Sequence, residues 1–235
     1  MGAITTGLRR KISPAPESFV IFVHGFGVDK TDRGLFSDIL GGLDGVIGVM
    51  FNNNEVDEMT GEITVRPLSD QAQSLMAVIK TVRERSEEPI DLICHSQSCL
   101  VAGIAAPRGI RNTIMLTPSF APSAKRTAKT FGSRKGSIIN MKGESKLARS
   151  DGTFTTVPRE YWGELDQINA IDLYNQLAQN TALTMILARQ DEILADTRPD
   201  NLTSHINVLK LDGDHNFTGA NRGSMITVIC RILAR

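Results

Sequence analysis

The stretch around Ser96 constrains the fold of this chain more than any other part of its sequence. Residues 90–94 form a largely apolar run that predicts a short buried strand, and residues 100–106 suit a helix that follows almost at once. Ser96 lies between them, with a small residue two positions away on each side, Cys94 and Ser98. A sharp turn with serine at its apex is the geometry of a nucleophile elbow, although glycine usually occupies both flanking positions. An ordinary turn in which Ser96 only caps the helix is the alternative.

Composition and charge argue against several classes of protein. The chain has 235 residues, 41% apolar and 22% charged, as expected for a globular domain with a substantial core. Its 26 basic and 26 acidic side chains give a formal net charge of +0, which favours neither nucleic acid nor an anionic membrane as a partner. No apolar run approaches the ~18 residues of a membrane span, and residues 1–18 lack the apolar stretch of a signal peptide. We therefore expect a cytoplasmic protein without a membrane span, either a monomer or a homodimer.

The cysteines and histidines do not have the spacing of metal ligands. The chain has three cysteines, Cys94, Cys99 and Cys230, so they cannot all pair in disulfides, and their spacing matches no metal knuckle. No pair of histidines has the H-x-x-x-H spacing that places two ligands on one face of a helix. We expect buried free thiols, no metal site and no cofactor.

Apolar runs that predict strands alternate along the chain with amphipathic segments that predict helices. The predicted strands span residues 19–24, 46–51, 90–94, 112–116, 181–188 and 206–211. The predicted helices include one that Thr31 or Asp32 would cap, one that begins at Ser69, and one over residues 223–233. This alternation predicts a single α/β domain over residues 1–235, built on a doubly wound, mostly parallel sheet.

One insertion interrupts the alternation, and we interpret it as a lid subdomain over residues 118–179. Within it, residues 137–141 and 152–157 predict a hairpin, and residues 158–178 predict a helix. The insertion contains the only tryptophan, Trp162, next to Tyr161. These two side chains either form a small core of the lid or bind substrate as a wall of the pocket.

Basic residues are concentrated in the first half of this insertion. Residues 121–149 contain eight lysines and arginines and a single acidic residue, Glu144. Such a segment is commonly a solvated face. An anionic substrate or a partner surface is the alternative.

Two polar side chains follow later strands at the positions where partners for Ser96 are expected. Asp191 comes shortly after the strand that ends at residue 188, and His215 comes shortly after the last strand. Because the carboxyl ends of parallel strands meet at one edge of the sheet, these three residues can converge there. Serine needs a neighbouring base, and that base needs an acid to orient it. The order serine, aspartate, histidine along the chain is that of α/β-hydrolases.

Other polar residues nearby are expected to play lesser roles. Glu192 and Asp196 are alternatives to Asp191 as the acid, but Asp191 comes first after its strand. His24 and His95 are expected to be structural, with His95 facing away from its neighbour Ser96.

An oxyanion hole is predicted from two backbone N–H groups. One donor in such sites is the residue after the nucleophile, here Gln97, and the other comes from the loop after an early strand. That loop is the His-Gly-Phe-Gly sequence over residues 24–27, in which Phe26 is the most plausible donor. Its glycines allow the backbone to bend so that this N–H points inward.

Four motifs together resemble the α/β-hydrolase superfamily. They are FVIFVHGFG (19–27), CHSQS (94–98), ARQDEI (188–193) and GDHNF (213–217). Within the superfamily the chain looks most like small serine esterases of the feruloyl or cinnamoyl esterase type, and the likeness extends from residue 19 to the end of the chain. The resemblance implies an α/β-hydrolase fold with an inserted lid. It departs from the usual pattern at Cys94 and Ser98, which replace glycines.

The leading functional prediction is a carboxylesterase that cleaves small to medium esters through an acyl-enzyme. Its predicted catalytic residues are Ser96, Asp191 and His215, with a small-molecule ester as the partner. Thioesterase, lactonase and small-peptidase activities would use the same residues, so the sequence does not separate them. A non-catalytic binding protein on the same fold is the alternative from another class.

Overall fold

The computed structural model describes residues 18–194 and 201–234. In chain order its elements are β1 (Ser18–Val23), α1 (Leu35–Gly42), β2 (Val46–Met50), β3 (Glu55–Val56), β4 (Ile63–Thr64), α2 (Leu68–Arg83), β5 (Ile90–His95), α3 (Ser98–Ala105), β6 (Asn112–Leu116), α4 (Ala124–Phe131), β7 (Ser145–Ala148), β8 (Phe154–Val157), α5 (Arg159–Leu165), α6 (Ala170–Leu177), β9 (Ala182–Ala188), β10 (Asn207–Leu211) and α7 (Ala220–Leu233).

A parallel sheet of six strands forms the centre of the fold. Its strand order is β10-β9-β6-β5-β1-β2, and every neighbouring pair is parallel. The described chain therefore enters the sheet at β1, next to the edge strand β2, and after β2 it crosses to β5 on the other side of β1 and extends through β6 and β9 to β10 at the opposite edge. This is the predicted doubly wound arrangement. Because the strands are parallel, the carboxyl ends of β1, β5, β9 and β10 all lie along the same side of the sheet, the side at which strands end rather than the side formed by an edge strand.

Both faces of the sheet are covered by helices, which is why the central strands are almost continuously apolar. Leu92 and Cys94 of β5 belong to the cluster that also contains buried side chains of α2 and α3. Ile93 belongs to the opposite cluster, with buried side chains of α1 and α7. The exception in β5 is the buried Asp91, whose carboxylate accepts hydrogen bonds from Arg111 and from Asn112.

The start of α1 differs from the prediction. Neither Thr31 nor Asp32 caps this helix, because it begins at Leu35 after Gly34, which adopts a left-handed conformation with φ +85°. A glycine tolerates that conformation at little cost, so the turn can be placed closer to the helix. The Asp32 side chain is consequently not used at the start of α1 and instead contacts Gly25 and His95, as described below.

A second sheet joins the insertion to the loop that follows β2. Its strand order is β3-β4-β8-β7, so two short strands from residues 55–64 pair with the hairpin of the insertion. The predicted hairpin is wrong in its first strand, because β8 pairs with β7 rather than with residues 137–141. Of those residues, Ile138 forms a single bridge to Lys146 and is 63% exposed, so their apolar character does not reflect burial in a sheet.

The helix predicted over residues 158–178 is two helices, α5 and α6. The break precedes Asn169, whose side-chain oxygen accepts the backbone N–H of Asp172 and so begins a new helix. α6 then packs against α3, where a side chain at Gly103 would meet Leu173.

Among the described residues, no helix has the length and apolar character needed to cross a membrane.

Substitution of glycine by alanine should have opposite effects on stability at two helical positions, Gly103 at the contact between α3 and α6 and Gly163 in α5. In Gly103→Ala the new Cβ would lie 2.9 Å from the Leu173 Cβ, so we expect a loss of about 1–3 kcal/mol of unfolding free energy from overpacking. Gly163 lies in α5, and a Cβ added there would have no neighbour within 4 Å, so Gly163→Ala should gain about 0.5–1 kcal/mol from helix propensity. Urea denaturation measures both; a stabilised Gly103→Ala protein would contradict the packing described here.

Candidate active site

Ser96 lies at a sharp turn between β5 and α3. Its φ is +57°, a left-handed conformation that non-glycine residues adopt rarely and that is common at functional turns. The Ser96 backbone N–H donates to the carbonyl of Leu116, at the end of β6, over 2.8 Å. The next helix begins at Ser98, so the strand reverses into a helix within two residues. This turn matches the strand–turn–helix predicted from the sequence.

Cys94 and Ser98, the two residues beside the turn that stand where glycine is usual, are both buried. Cys94 is fully buried in β5, and burial raises the pKa of its thiol well above the usual range. The Ser98 hydroxyl accepts the backbone N–H of His95 over 2.9 Å and donates to the carbonyl of Val23. Ser98 therefore ties the turn to β1. Close approach is permitted there by Gly25, where a Cβ would lie 3.4 Å from the Ser96 Cβ.

His215 and Asp191 complete a hydrogen-bonded chain with Ser96. The His215 Nε2 lies 2.9 Å from the Ser96 Oγ, and the His215 Nδ1 lies 2.9 Å from Asp191 Oδ2. The other carboxylate oxygen of Asp191 accepts the backbone N–H groups of Ile193 and Leu194. Burial opposes the charged form of Asp191, but these bonds and His215 outweigh it and lower the pKa of the carboxyl. Asp191 is thus an anchored carboxylate, and the histidine ring is held between it and the serine.

The other acidic residues near His215 contact something else. Glu192 accepts the backbone N–H of His215 over 3.2 Å, and so it holds the loop rather than the ring. Asp214 accepts the Thr218 hydroxyl and backbone N–H. Asp196, the other alternative from the sequence, lies outside the described residues.

The loop after β1 borders the same cleft as Ser96. Phe26 and Gln97 both line it, and within residues 18–194 and 201–234 their backbone N–H groups have no hydrogen-bond partner. The loop is held on its outer side, where the Arg149 Nη1 donates to the Gly27 carbonyl over 2.6 Å. The buried His24 ring accepts the backbone N–H of Asn53 over 2.8 Å. The two predicted donors therefore both line the cleft, and within the described residues neither N–H is engaged in a hydrogen bond.

The cleft is small, with a volume of about 50 Å³. Tyr161 lines it, and its ring packs against Phe26 with centroids 5.5 Å apart. Trp162 is buried behind Tyr161 and donates its indole N–H to the Ser145 hydroxyl over 3.2 Å. Of the two aromatic residues predicted for substrate binding, the structure brings Tyr161 to the cleft and places Trp162 in the core of the insertion.

A buried pair of side chains that sequence reasoning missed lies behind this site. Asp32 is 2% exposed, and its Oδ2 lies 2.8 Å from the His95 Nδ1 and 2.9 Å from the Gly25 backbone N. The His95 Nε2 in turn lies 3.2 Å from the carbonyl oxygen of His215. His95 therefore faces away from the cleft, and the pair links the loops that carry Phe26, Ser96 and His215.

Both ring nitrogens of His95 face acceptors, a carboxylate and a carbonyl. A neutral imidazole has one N–H, so both contacts become hydrogen bonds only when the ring is protonated. Burial opposes that charge, but the Asp32 carboxylate outweighs it and raises the pKa of His95. Likewise burial would raise the pKa of Asp32, and the His95 charge lowers it to about 2. The two acceptors and the directions of both pKa shifts favour the charged form of the pair, with His95 protonated and Asp32 ionised. No local motif signals it, because an aspartate close to the start of a predicted helix is equally well explained as a cap.

Solved structures similar to this chain share its fold. The esterase domain of a Rhodothermus marinus protein matches with a TM-score of 0.66 and 14% identity, over 94% of this chain and 88% of that one. Est1E from Butyrivibrio proteoclasticus, in a structure with ferulic acid bound, matches with a TM-score of 0.68 and 16% identity, over 94% of this chain and 92% of that one. A monoacylglycerol lipase from Paleococcus ferrophilus matches with a TM-score of 0.59 and 16% identity, over 93% of this chain and 95% of that one.

These similarities confirm the predicted α/β-hydrolase fold. At 14–16% identity they establish the fold, and a fold alone does not determine an activity. No protein-family model matches the sequence, and no curated protein sequence matches it.

The buried ion pair predicts a specific pH dependence of stability. A raised pKa of His95 stabilises the fold fully below its unfolded value of about 6.5, and this contribution is lost as pH rises through the folded pKa. The lowered pKa of Asp32 stabilises above about 3.8, and this contribution is lost as pH falls towards about 2. Asp32→Asn should cost about 3–5 kcal/mol near pH 5–6, and less at higher pH.

Urea denaturation of the wild type and Asp32→Asn at several pH values measures this difference. Asp38→Asn is the matched control, because the ion pair of Asp38 with Arg222 is half exposed on the carboxylate side and should be worth less than about 1 kcal/mol. A cost of Asp32→Asn that does not change between about pH 5 and 9 would contradict a charged His95.

Proposed function

We propose that this protein is a serine hydrolase that cleaves carboxylic esters. The observation that carries the proposal is the chain of contacts from the Ser96 Oγ through His215 to Asp191, each 2.9 Å long, at the apex of a strained turn. A serine in that position has a base within hydrogen-bond reach, and the base is oriented by a carboxylate. A serine that only capped a helix would need neither partner.

Each group has a role that follows from its contacts. Ser96 attacks the ester carbonyl while His215 takes the hydroxyl proton, and the same proton is then donated to the departing alcohol. Asp191 keeps the Nδ1–H of His215 directed towards itself, so that Nε2 accepts the proton. The N–H groups of Phe26 and Gln97 stabilise the negative oxygen of the tetrahedral intermediate. Water activated by His215 then releases the acid from Ser96.

The surroundings of the cleft suit a small ester. The walls next to Ser96 include apolar side chains such as Phe26, Leu100 and Tyr161, and the space of about 50 Å³ between them would take only the part of a substrate next to the ester carbonyl. In this proposal residues 118–179 act as a lid, Tyr161 contacts substrate and Trp162 supports it from behind. Proteins of the same fold that are named as esterases and as a lipase are consistent with this choice. The same groups would also transfer acyl groups from thioesters, lactones or amides, so the ester is the simplest substrate rather than a unique one.

Ser96→Ala should abolish the hydrolysis of p-nitrophenyl acetate. We expect the rate to fall by about 10⁶, to the background, since the nucleophile is removed. The melting temperature should stay within about 2 °C of the wild type, because the substitution removes only the Ser96 hydroxyl, which lies at the surface of the cleft. Ser98→Ala is the control, because the Ser98 hydroxyl is committed to the Val23 carbonyl and its loss should leave turnover measurable. Hydrolysis that persists in Ser96→Ala would sink the proposal.

The choice of acid is tested by two neighbouring amide substitutions. Asp191→Asn should lower kcat by about 10⁴, because the amide no longer holds the correct tautomer of His215. Glu192→Gln should lower kcat less than about tenfold, since its side-chain oxygen still accepts the His215 backbone N–H. Steady-state kinetics on the same ester measure both. The reverse order of effects would assign the acid to Glu192.

A further inference from the structure

Arg126 is the one basic residue in the described lining of the cleft that contains Ser96. It lies in the first turn of α4, where its backbone N–H donates to the capping Ser123 hydroxyl. Its half-buried side chain lines the cleft together with Ser96 and Gln97, whereas the neighbouring Lys125 lines a separate groove on the other side of the helix. The reaction proposed above does not use this charge.

The guanidinium of Arg126 is without a counter-ion among the described residues. Several other arginines form ion pairs there, namely Arg111, Arg149, Arg189 and Arg222. Arg126 instead donates its Nη2 to the carbonyl of Ala121. The described lining of the cleft contains no aspartate or glutamate. Within the part of the chain that the structure describes, no acidic side chain therefore neutralises Arg126 at this wall of the cleft.

The remaining donors of Arg126 suit a carboxylate. A guanidinium has five N–H donors in a planar fork, and the bond to Ala121 leaves most of them unused. Carboxylates bind such a fork through two parallel hydrogen bonds, which are stronger than those between neutral groups. Thr127 and Thr130 follow on the same helix and also line the cleft, so the wall offers further hydroxyl groups to an anion.

We propose that Arg126 binds a carboxylate of the substrate, so that this site prefers esters that carry a second, free carboxyl group. The proposal rests on the proposed ester hydrolysis and names its substrate class. Half-esters of short dicarboxylic acids have the required chemistry: one carbonyl for Ser96 and one carboxylate for Arg126.

The kinetic test compares a charged and a neutral ester of similar size in three proteins. The esters are the p-nitrophenyl monoester of glutaric acid and p-nitrophenyl valerate, and the quantity is the ratio of their kcat/KM values. Arg126→Gln should lower this ratio by about ten- to a hundredfold, as expected for the loss of a charge-assisted hydrogen bond. Lys125→Gln removes the same charge one residue away and should leave the ratio within about twofold. An unchanged ratio in Arg126→Gln, or equal losses in both variants, overturns the proposal.

A binding measurement separates this proposal from the proposed reaction. In the Ser96→Ala protein, calorimetry with monomethyl glutarate should show binding that weakens at least about tenfold when Arg126→Gln is added. Absence of binding to Ser96→Ala, or equal binding by the double variant, overturns the carboxylate site even if neutral esters are hydrolysed. Conversely, if no ester is hydrolysed but Arg126 governs this binding, the reaction fails and the anion site stands.

Discussion

The buried ion pair of Asp32 and His95 ties together the loops on which the candidate site is built. Asp32 also accepts the backbone N–H of Gly25, next to Phe26, and His95 donates to the backbone of His215. Because His95 immediately precedes Ser96, this one contact fixes the relative positions of the serine, the histidine and the loop that carries the predicted oxyanion donor Phe26. Removing one partner of a buried pair leaves an uncompensated charge, so neither Asp32 nor His95 can be replaced alone at low cost.

The parallel sheet explains why residues distant in sequence meet at this site. Ser96, Asp191 and His215 follow β5, β9 and β10, and the carboxyl ends of those strands lie at one edge. Their meeting could be predicted from sequence because each residue follows a strand whose apolar run is unmistakable. Burial on both faces leaves the central strands, such as β5, little choice of composition, whereas β10 at the edge of the sheet has no buried residue. The strained turn at Ser96 could be predicted too, since the strand and helix predictions left only a few residues between them.

Other features could not be predicted because nothing local encodes them. The second sheet pairs two-residue strands of residues 55–64 with β8, about ninety positions later, and such short segments carry no periodic pattern. Asp32 lies 63 positions before its partner His95. The exposed Ile138 misled the hairpin prediction, because its apolar side chain faces solvent. In the sequence Arg126 was visible only as part of a basic segment, and its place in the lining of the Ser96 cleft depends on the packing of α4.

The central claim is that Ser96 is a nucleophile activated by His215. A fluorophosphonate probe tests it directly, because this reagent phosphonylates only serines that an adjacent base makes reactive. After incubation of the whole protein, peptide mapping by mass spectrometry should find one adduct, on the peptide that contains Ser96, and far slower labelling in His215→Ala. A folded protein without an adduct, or with an adduct on another serine, would contradict the account.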